Sequence, residues 1–131
     1  DVLSLRPDVV VIDYALNDRG VGLDKALAAW TSMILACRQK NIKVILCTPT
    51  GDTSTRRNDP NDALVKHTEQ IRRVADQLEV GLADIFSAWS EAIVKVGEPV
   101  LHSQGNHPSF EGHKVAASVI TPWFTTPAKG R

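Results

Sequence analysis

The chain has 131 residues, about one domain's length, with 43% hydrophobic and 23% charged residues, the balance of a globular protein. Fifteen basic and fifteen acidic side chains cancel, which argues against nucleic-acid binding or a basic membrane-surface protein, since both need a cationic excess. No unbroken apolar run approaches bilayer-spanning length, and three Trp, one Tyr and three Phe are few for a stacking platform.

The chain opens Asp1-Val2-Leu3-Ser4, without an initiator Met or a targeting segment. It therefore reads as a processed or truncated piece that carries no sign of its localisation. Val9, Val10, Val11, Ile12, Asp13 and Tyr14 predict a buried strand, bounded by Pro7 and by Asn17-Asp18. Leu23, Leu27, Trp30, Ile34 and Cys37 recur at helical spacing and predict a helix over residues 23–40, with Arg38 and Lys40 in its last turn. Residues 43–48 predict a second buried strand, ended by Pro49 and Gly51. A polar loop over 52–61 leads to Asp59-Pro60, a good helix start. Leu64, Thr68, Ile71, Ala75 and Leu78 mark that helix, with His67 half-buried at the edge of its apolar face. Residues 80–84 predict a third strand, and Ser87 a cap for a short helix to residue 96. Residues 97–106 read as a loop, Ser109 as the cap of a last helix to Trp123, and residues 125–131 as a loose tail. Cys37 and Cys47 sit in separate apolar runs and read as buried thiols rather than a disulfide.

Strands alternating with helices imply a parallel sheet with right-handed crossovers, whose ligands bind at the carboxyl ends of the strands. Asn17 directly follows the first strand, where a fixed side-chain N–H could stabilise an oxyanion; an Asx turn is the competing reading. His107, held before Pro108 at a helix start, is a general-base candidate, against the plainer reading of a solvent-facing loop histidine. His113 falls inside the helix and is expected to pack or hydrogen-bond there. His102, His107 and His113 follow one another at intervals of five and six, which fits no metal pattern, so no metal is expected. Gly20-Val21-Gly22 lacks the third glycine of a phosphate loop, and no cofactor is expected.

Two blocks resemble the SGNH (GDSL-type) esterase and lipase family. Residues 7–18, ending Ala15-Leu16-Asn17-Asp18, look like the family's strand followed by Gly-x-Asn-Asp. Gln104-Gly105-Asn106-His107-Pro108, with Gly112-His113 beyond, looks like its Asp-x-x-His-Pro block. Thr48-Pro49-Thr50 and the segment 71–75 between them are also family-like. The resemblance implies an α/β fold, a three-layer flavodoxin-like parallel sheet between helices, and ester hydrolysis by a Ser-His-Asp arrangement. On it, Asn17 is an oxyanion donor and His107 the general base. The chain departs from the pattern in Ala15 for glycine and Gln104 for aspartate. The family's first strand, its Gly-Asp-Ser nucleophile block and its oxyanion glycine lie upstream of what is present.

Residues 1–131 are thus expected to be the carboxyl-terminal part of one SGNH hydrolase domain, incomplete at its N-terminus and inactive alone. Gln104 would orient His107, with Asp84 and Asp18 as further supporting residues. Gly51-Asp52-Thr53-Ser54 nearly spells the nucleophile block but comes after Asn17; it reads as a polar loop, with Ser54 as the nucleophile candidate inside the chain. The expected substrate is a small-molecule ester, with a short acyl group on a carbohydrate or small alcohol. The expected partner is an upstream fragment of the same protein or a second copy, closing an open edge at residues 9–12. The alternative is a non-catalytic binding or interaction domain that kept the fold, and a third reading is a flavodoxin-like cofactor binder.

Overall fold

The computed structural model describes residues 2–125. Of the loose tail expected over residues 125–131, all but Thr125 lies outside the described residues. The chain's contacts gather it into two compact units: one runs to Pro49 and adds Thr55–Ala83, and the other combines Thr50–Ser54 with the chain from Asp84 onward.

The first unit is built on three parallel strands, β1 (Val9–Ile12), β2 (Lys43–Cys47) and β3 (Gly81–Ala83), in that order across the sheet. Val9 lies opposite Lys43 and Ile12 opposite Leu46, while Ile45 lies opposite Gly81. β2 is central, and Val44, Ile45, Leu46 and Cys47 are all buried, the unbroken apolar run of a strand covered on both faces. β1 is an outer strand, with Val11 38% exposed. It stops two residues before the expected Tyr14, because Tyr14 leaves extended backbone (ψ −11°) and a one-turn helix, α1 (Ala15–Asp18), begins. Asn17 and Asp18 therefore lie in a helical turn and not in an Asx turn.

Helix α2 (Leu23–Arg38) follows Gly22, whose φ of +90° requires glycine. It buries Ala26, Trp30, Ile34 and Cys37. The expected core residue Leu27 stays 39% exposed, since the buried face runs through residue 26 and leaves 27 a third of a turn away. Asn41 adopts a left-handed conformation (φ +57°), and the Ile42 and Asn41 amides return to the Cys37 and Arg38 carbonyls, closing the helix as a Schellman motif. Helix α3 (Ala63–Gln77) starts three residues later than the Asp59-Pro60 signal suggests. Asp62 is its cap, accepting from the amides of Leu64 (2.8 Å) and Val65 (3.4 Å), whereas the Asp59 carboxylate is engaged by the Asn61 amide and the Arg56 guanidinium. α3 buries Leu64, Thr68, Ile71 and Ala75 as its spacing predicts, and Val74 besides, while Leu78 lies at its C-terminal cap and is only partly buried; His67 is buried rather than half-buried. Ile34 and Leu46 are fully buried in this core, each contributing about 1.5–3 kcal/mol.

In the second unit, α4 (Ile85–Val96) is capped by Asp84 and not by Ser87. Ser87 lies in the first turn and donates its amide and its hydroxyl to the Asp84 carboxylate. The expected loop over 97–106 holds structure: a turn of helix, α5 (Glu98–Leu101), then β4 (His102–Gln104), which pairs antiparallel with β5 (His107–Pro108). Ser109 caps α6 (Phe110–Ile120) as expected, its hydroxyl oxygen accepting from the Gly112 amide at 3.1 Å. The last helix breaks before Trp123: α6 ends at Ile120 and a separate turn, α7 (Pro122–Thr125), follows, because Pro122 cannot donate to a continuing ladder. Trp89, Ile85 and Leu101 form the buried centre, on which α4, α5 and α6 pack.

Candidate functional site

Asn17 and Asp18 belong to the first unit. A four-residue helix does not hold itself together, and the residue before α1, Tyr14, makes no side-chain cap. The Trp30 indole N–H supplies the missing support, donating to Asp18 Oδ2 at 2.7 Å. The Asp18 carbonyl in turn accepts from the amides of Val21 (2.9 Å) and Gly22 (3.2 Å), joining α1 to the start of α2. Gln70, on α3, donates from its side-chain nitrogen to the Leu23 carbonyl at 3.0 Å and fixes the same corner. Asn17 thus stands exposed just beyond the carboxyl end of β1 on an anchored turn. Asp18 is the anchor, and Trp30, which its spacing marked only as a core residue, is its partner.

Burial sets the titration of the groups behind this corner. Desolvation lowers the pKa of His67, against the Asp18 carboxylate, which raises it, while the Arg19 guanidinium adds to the lowering. The Cys47 thiol is pushed up to about 12 by burial and by the negative charge of Asp13. Burial also raises Cys37. Both cysteines are free, and both are protonated near neutrality, which suits packing and not nucleophilic attack.

His107, Gln104, Asp84 and Ser54 belong to the second unit. His107 is exposed and opens β5, with Gln104 as its cross-strand neighbour on β4. This pairing places the two residues of the His-Pro block side by side. The hairpin is pinned at its base. The Ser103 hydroxyl reaches the Pro108 carbonyl (3.1 Å) and the His107 carbonyl (3.3 Å), the Ser109 amide donates to the Leu101 carbonyl (2.8 Å), and the Ser109 hydroxyl donates to the Val100 carbonyl (2.6 Å). A histidine between a pinned strand and a capped helix presents its ring from a backbone held at the base of the hairpin.

His113 differs from expectation. His113 is exposed on α6, so it does not pack. The His102 side chain is 4% exposed, edge-on to the Trp89 ring with centroids 5.2 Å apart and 3.7 Å from a Glu98 oxygen. Asp84 is engaged by Ser87 as a helix cap. Ser54 donates its hydroxyl to Asp52 Oδ1 at 2.7 Å and its amide to the same oxygen at 3.0 Å.

A family model for the GDSL-like lipase/acylhydrolase family matches residues 1–115. Among solved structures, a catalytic mutant of Axe2, an acetylxylan esterase from Geobacillus stearothermophilus, superimposes with a TM-score of 0.75 at 21% identity over 91% of this chain and 60% of that one. The acetyl xylan esterase AlAXEase gives 0.78 at 24% identity, over 95% and 70%. A structure from Parabacteroides merdae assigned as a GDSL-like lipase gives 0.74 at 15% identity, over 91% and 61%. At these identities the likeness is one of fold, the α/β fold of the SGNH hydrolases. The chain spans about 60% of the length of the Axe2 structure. No curated protein sequence matches it.

Proposed function

Because the chain belongs to the GDSL-like lipase/acylhydrolase family, we propose that it is the part of a single serine-esterase domain that supplies the general base, His107, and an oxyanion donor, Asn17. The observation that carries this reading is the exposed His107 imidazole on a pinned hairpin, paired with Gln104 at the position of the family's acid. In the reaction, a serine hydroxyl attacks the ester carbonyl while His107 takes its proton, and His107 then protonates the departing alkoxide. The side-chain N–H of Asn17 donates to the oxygen that becomes negative, a contribution of about 3 kcal/mol in comparable sites. Gln104 accepts from the imidazole N–H through its amide oxygen and orients the ring, without a carboxylate's charge.

The attacking serine comes from outside these 131 residues. In support, the Ser54 hydroxyl is already engaged by Asp52. The substrate is a short acyl ester on a carbohydrate or small alcohol, as the acetylxylan esterases among the structural relatives suggest. The outer side of β1 is closed in the working protein by another strand, from the same protein or a second copy.

The test compares p-nitrophenyl acetate hydrolysis by the complete protein and by its His107→Ala variant. The variant should lose several orders of magnitude in kcat while keeping its melting temperature, since an exposed histidine carries little packing. Saturable turnover by the 131-residue chain alone, abolished by a serine-directed fluorophosphonate, would overturn the placement of the nucleophile and turn attention to Ser54. Full activity in His107→Ala would overturn the base assignment, and no turnover by the complete wild-type protein would favour the non-catalytic binding domain instead.

A further inference from the structure

The segment Thr50–Ser54 follows β2 in the chain, yet it clusters with the second unit, the one that carries His107. Its conformation is tightly specified. Gly51 has φ +88°, a left-handed backbone that a side chain would strain. Asp52 is 8% exposed, and one of its oxygens, Oδ1, accepts both the amide (3.0 Å) and the hydroxyl (2.7 Å) of Ser54. Between these two residues, the Thr53 amide donates to the Gly105 carbonyl at 2.9 Å. Gly105 sits at the turn between β4 and β5, two residues before His107. A Cβ there would lie 3.5 Å from the Thr53 hydroxyl, so the Thr53 side chain packs against this turn.

The base of the hairpin is pinned by Ser103 and Ser109, and the bond from the Thr53 amide to the Gly105 carbonyl ties its tip. We infer that Asp52 is a positioning residue for His107: its turn with Ser54 presents the Thr53 N–H to the Gly105 carbonyl and holds the tip of the hairpin. The nucleophile-like spelling Gly51-Asp52-Thr53-Ser54 then has a different use. Ser54 spends its hydroxyl keeping a carboxylate in place, and the carboxylate keeps a backbone donor aimed. This inference rests on His107 acting as the base.

Hydrogen exchange by NMR on the full chain, with Asp52→Ala, Asp52→Asn and Ser54→Ala, tests the brace directly. In the wild type, the Thr53 amide should exchange in step with the Ser109 amide of the hairpin and not with the amides of α3. Asp52→Ala should speed Thr53 exchange at least about tenfold and average the His107 ring signals, whereas Asp52→Asn, which keeps the acceptor oxygen, should stay within about twofold of wild type. Should Asp52→Ala fail to fold, Ser54→Ala decides, with an expected acceleration of about threefold at Thr53. In the complete esterase, Asp52→Ala should lower kcat about tenfold or more with KM unchanged, and Asp52→Asn should restore it. Unaltered Thr53 exchange and His107 signals in both Asp52→Ala and Ser54→Ala would overturn the brace. So would wild-type Thr53 exchange that follows α3. If the exchange results hold but His107→Ala retains activity, the base assignment fails and the brace survives as a purely structural tie.

Discussion

A Cβ at Gly112 would fall 2.6 Å from the Trp89 ring and 3.2 Å from the Pro108 side chain, and closer still to the Leu101 carbonyl oxygen. The last contact decides the outcome, because a backbone oxygen in a short helix cannot swing aside as a side-chain tip can. Alanine ordinarily gains up to about 1 kcal/mol over glycine in a helix, and less in the first turn, where Gly112 sits. Overpacking of this kind costs about 1–3 kcal/mol. Gly112→Ala should therefore destabilise the chain by about 1–2 kcal/mol in urea unfolding, and a stabilised variant would show that α6 can shift. The glycine of the Gly-His pair after the His-Pro block thus has a packing reason. Its sequence position singled it out, but the reason lies in Trp89 and Leu101, which a linear reading places in other elements.

The cap of helix α3 carries an electrostatic signature. Burial pushes the Asp62 carboxyl up, but the amides of Arg56, Leu64 and Val65 and the Arg56 charge outweigh it, and the net shift is downward. A carboxyl lowered in the fold stabilises it at pH values above the unfolded pKa of 3.8. That contribution is lost as pH falls through the lower folded value. Asp62→Ala should cost about 1 kcal/mol at neutral pH. The cost should vanish in acid, as measured by denaturation midpoints at pH 7 and below pH 3. An equal loss at both would assign the effect to packing. The start of this helix was legible only to within three residues, because Asp59 and Asp62 are both capping residues ahead of the same apolar face. Arg56 breaks the tie, by donating its backbone amide to Asp62. The parallel strands and the long helices were readable from β-branched runs and helical spacing. The hairpin β4–β5 was not, because strands of three and two residues are too short to show a period. The anchoring of Asn17 was hidden likewise, since Trp30 sits in an apolar face and nothing in its spacing reveals that its N–H is engaged.

At the scale of the whole molecule, β1 pairs with β2 on one side and with no strand on the other among the described residues. Val9, Val10, Val11 and Ile12 carry no charge, proline or bulge to blunt that edge. At micromolar concentration the purified chain should therefore associate, giving a light-scattering mass of at least about twice its 14.3 kDa. A monodisperse monomer would show that the edge is tolerated bare. No helix among the described residues is long and apolar enough to cross a membrane.

The bond from the Thr53 amide to the Gly105 carbonyl joins residues 52 positions apart. At translation speeds of about 5–20 residues per second, Thr53 is made about 3–10 s before its acceptor exists. For that interval the growing chain carries the loop that braces the hairpin but not the hairpin itself. The order of synthesis is therefore fixed, with the brace waiting for the residue it positions. Synonymous codons that slow elongation between residues 53 and 105 would lengthen the wait without changing a single side chain.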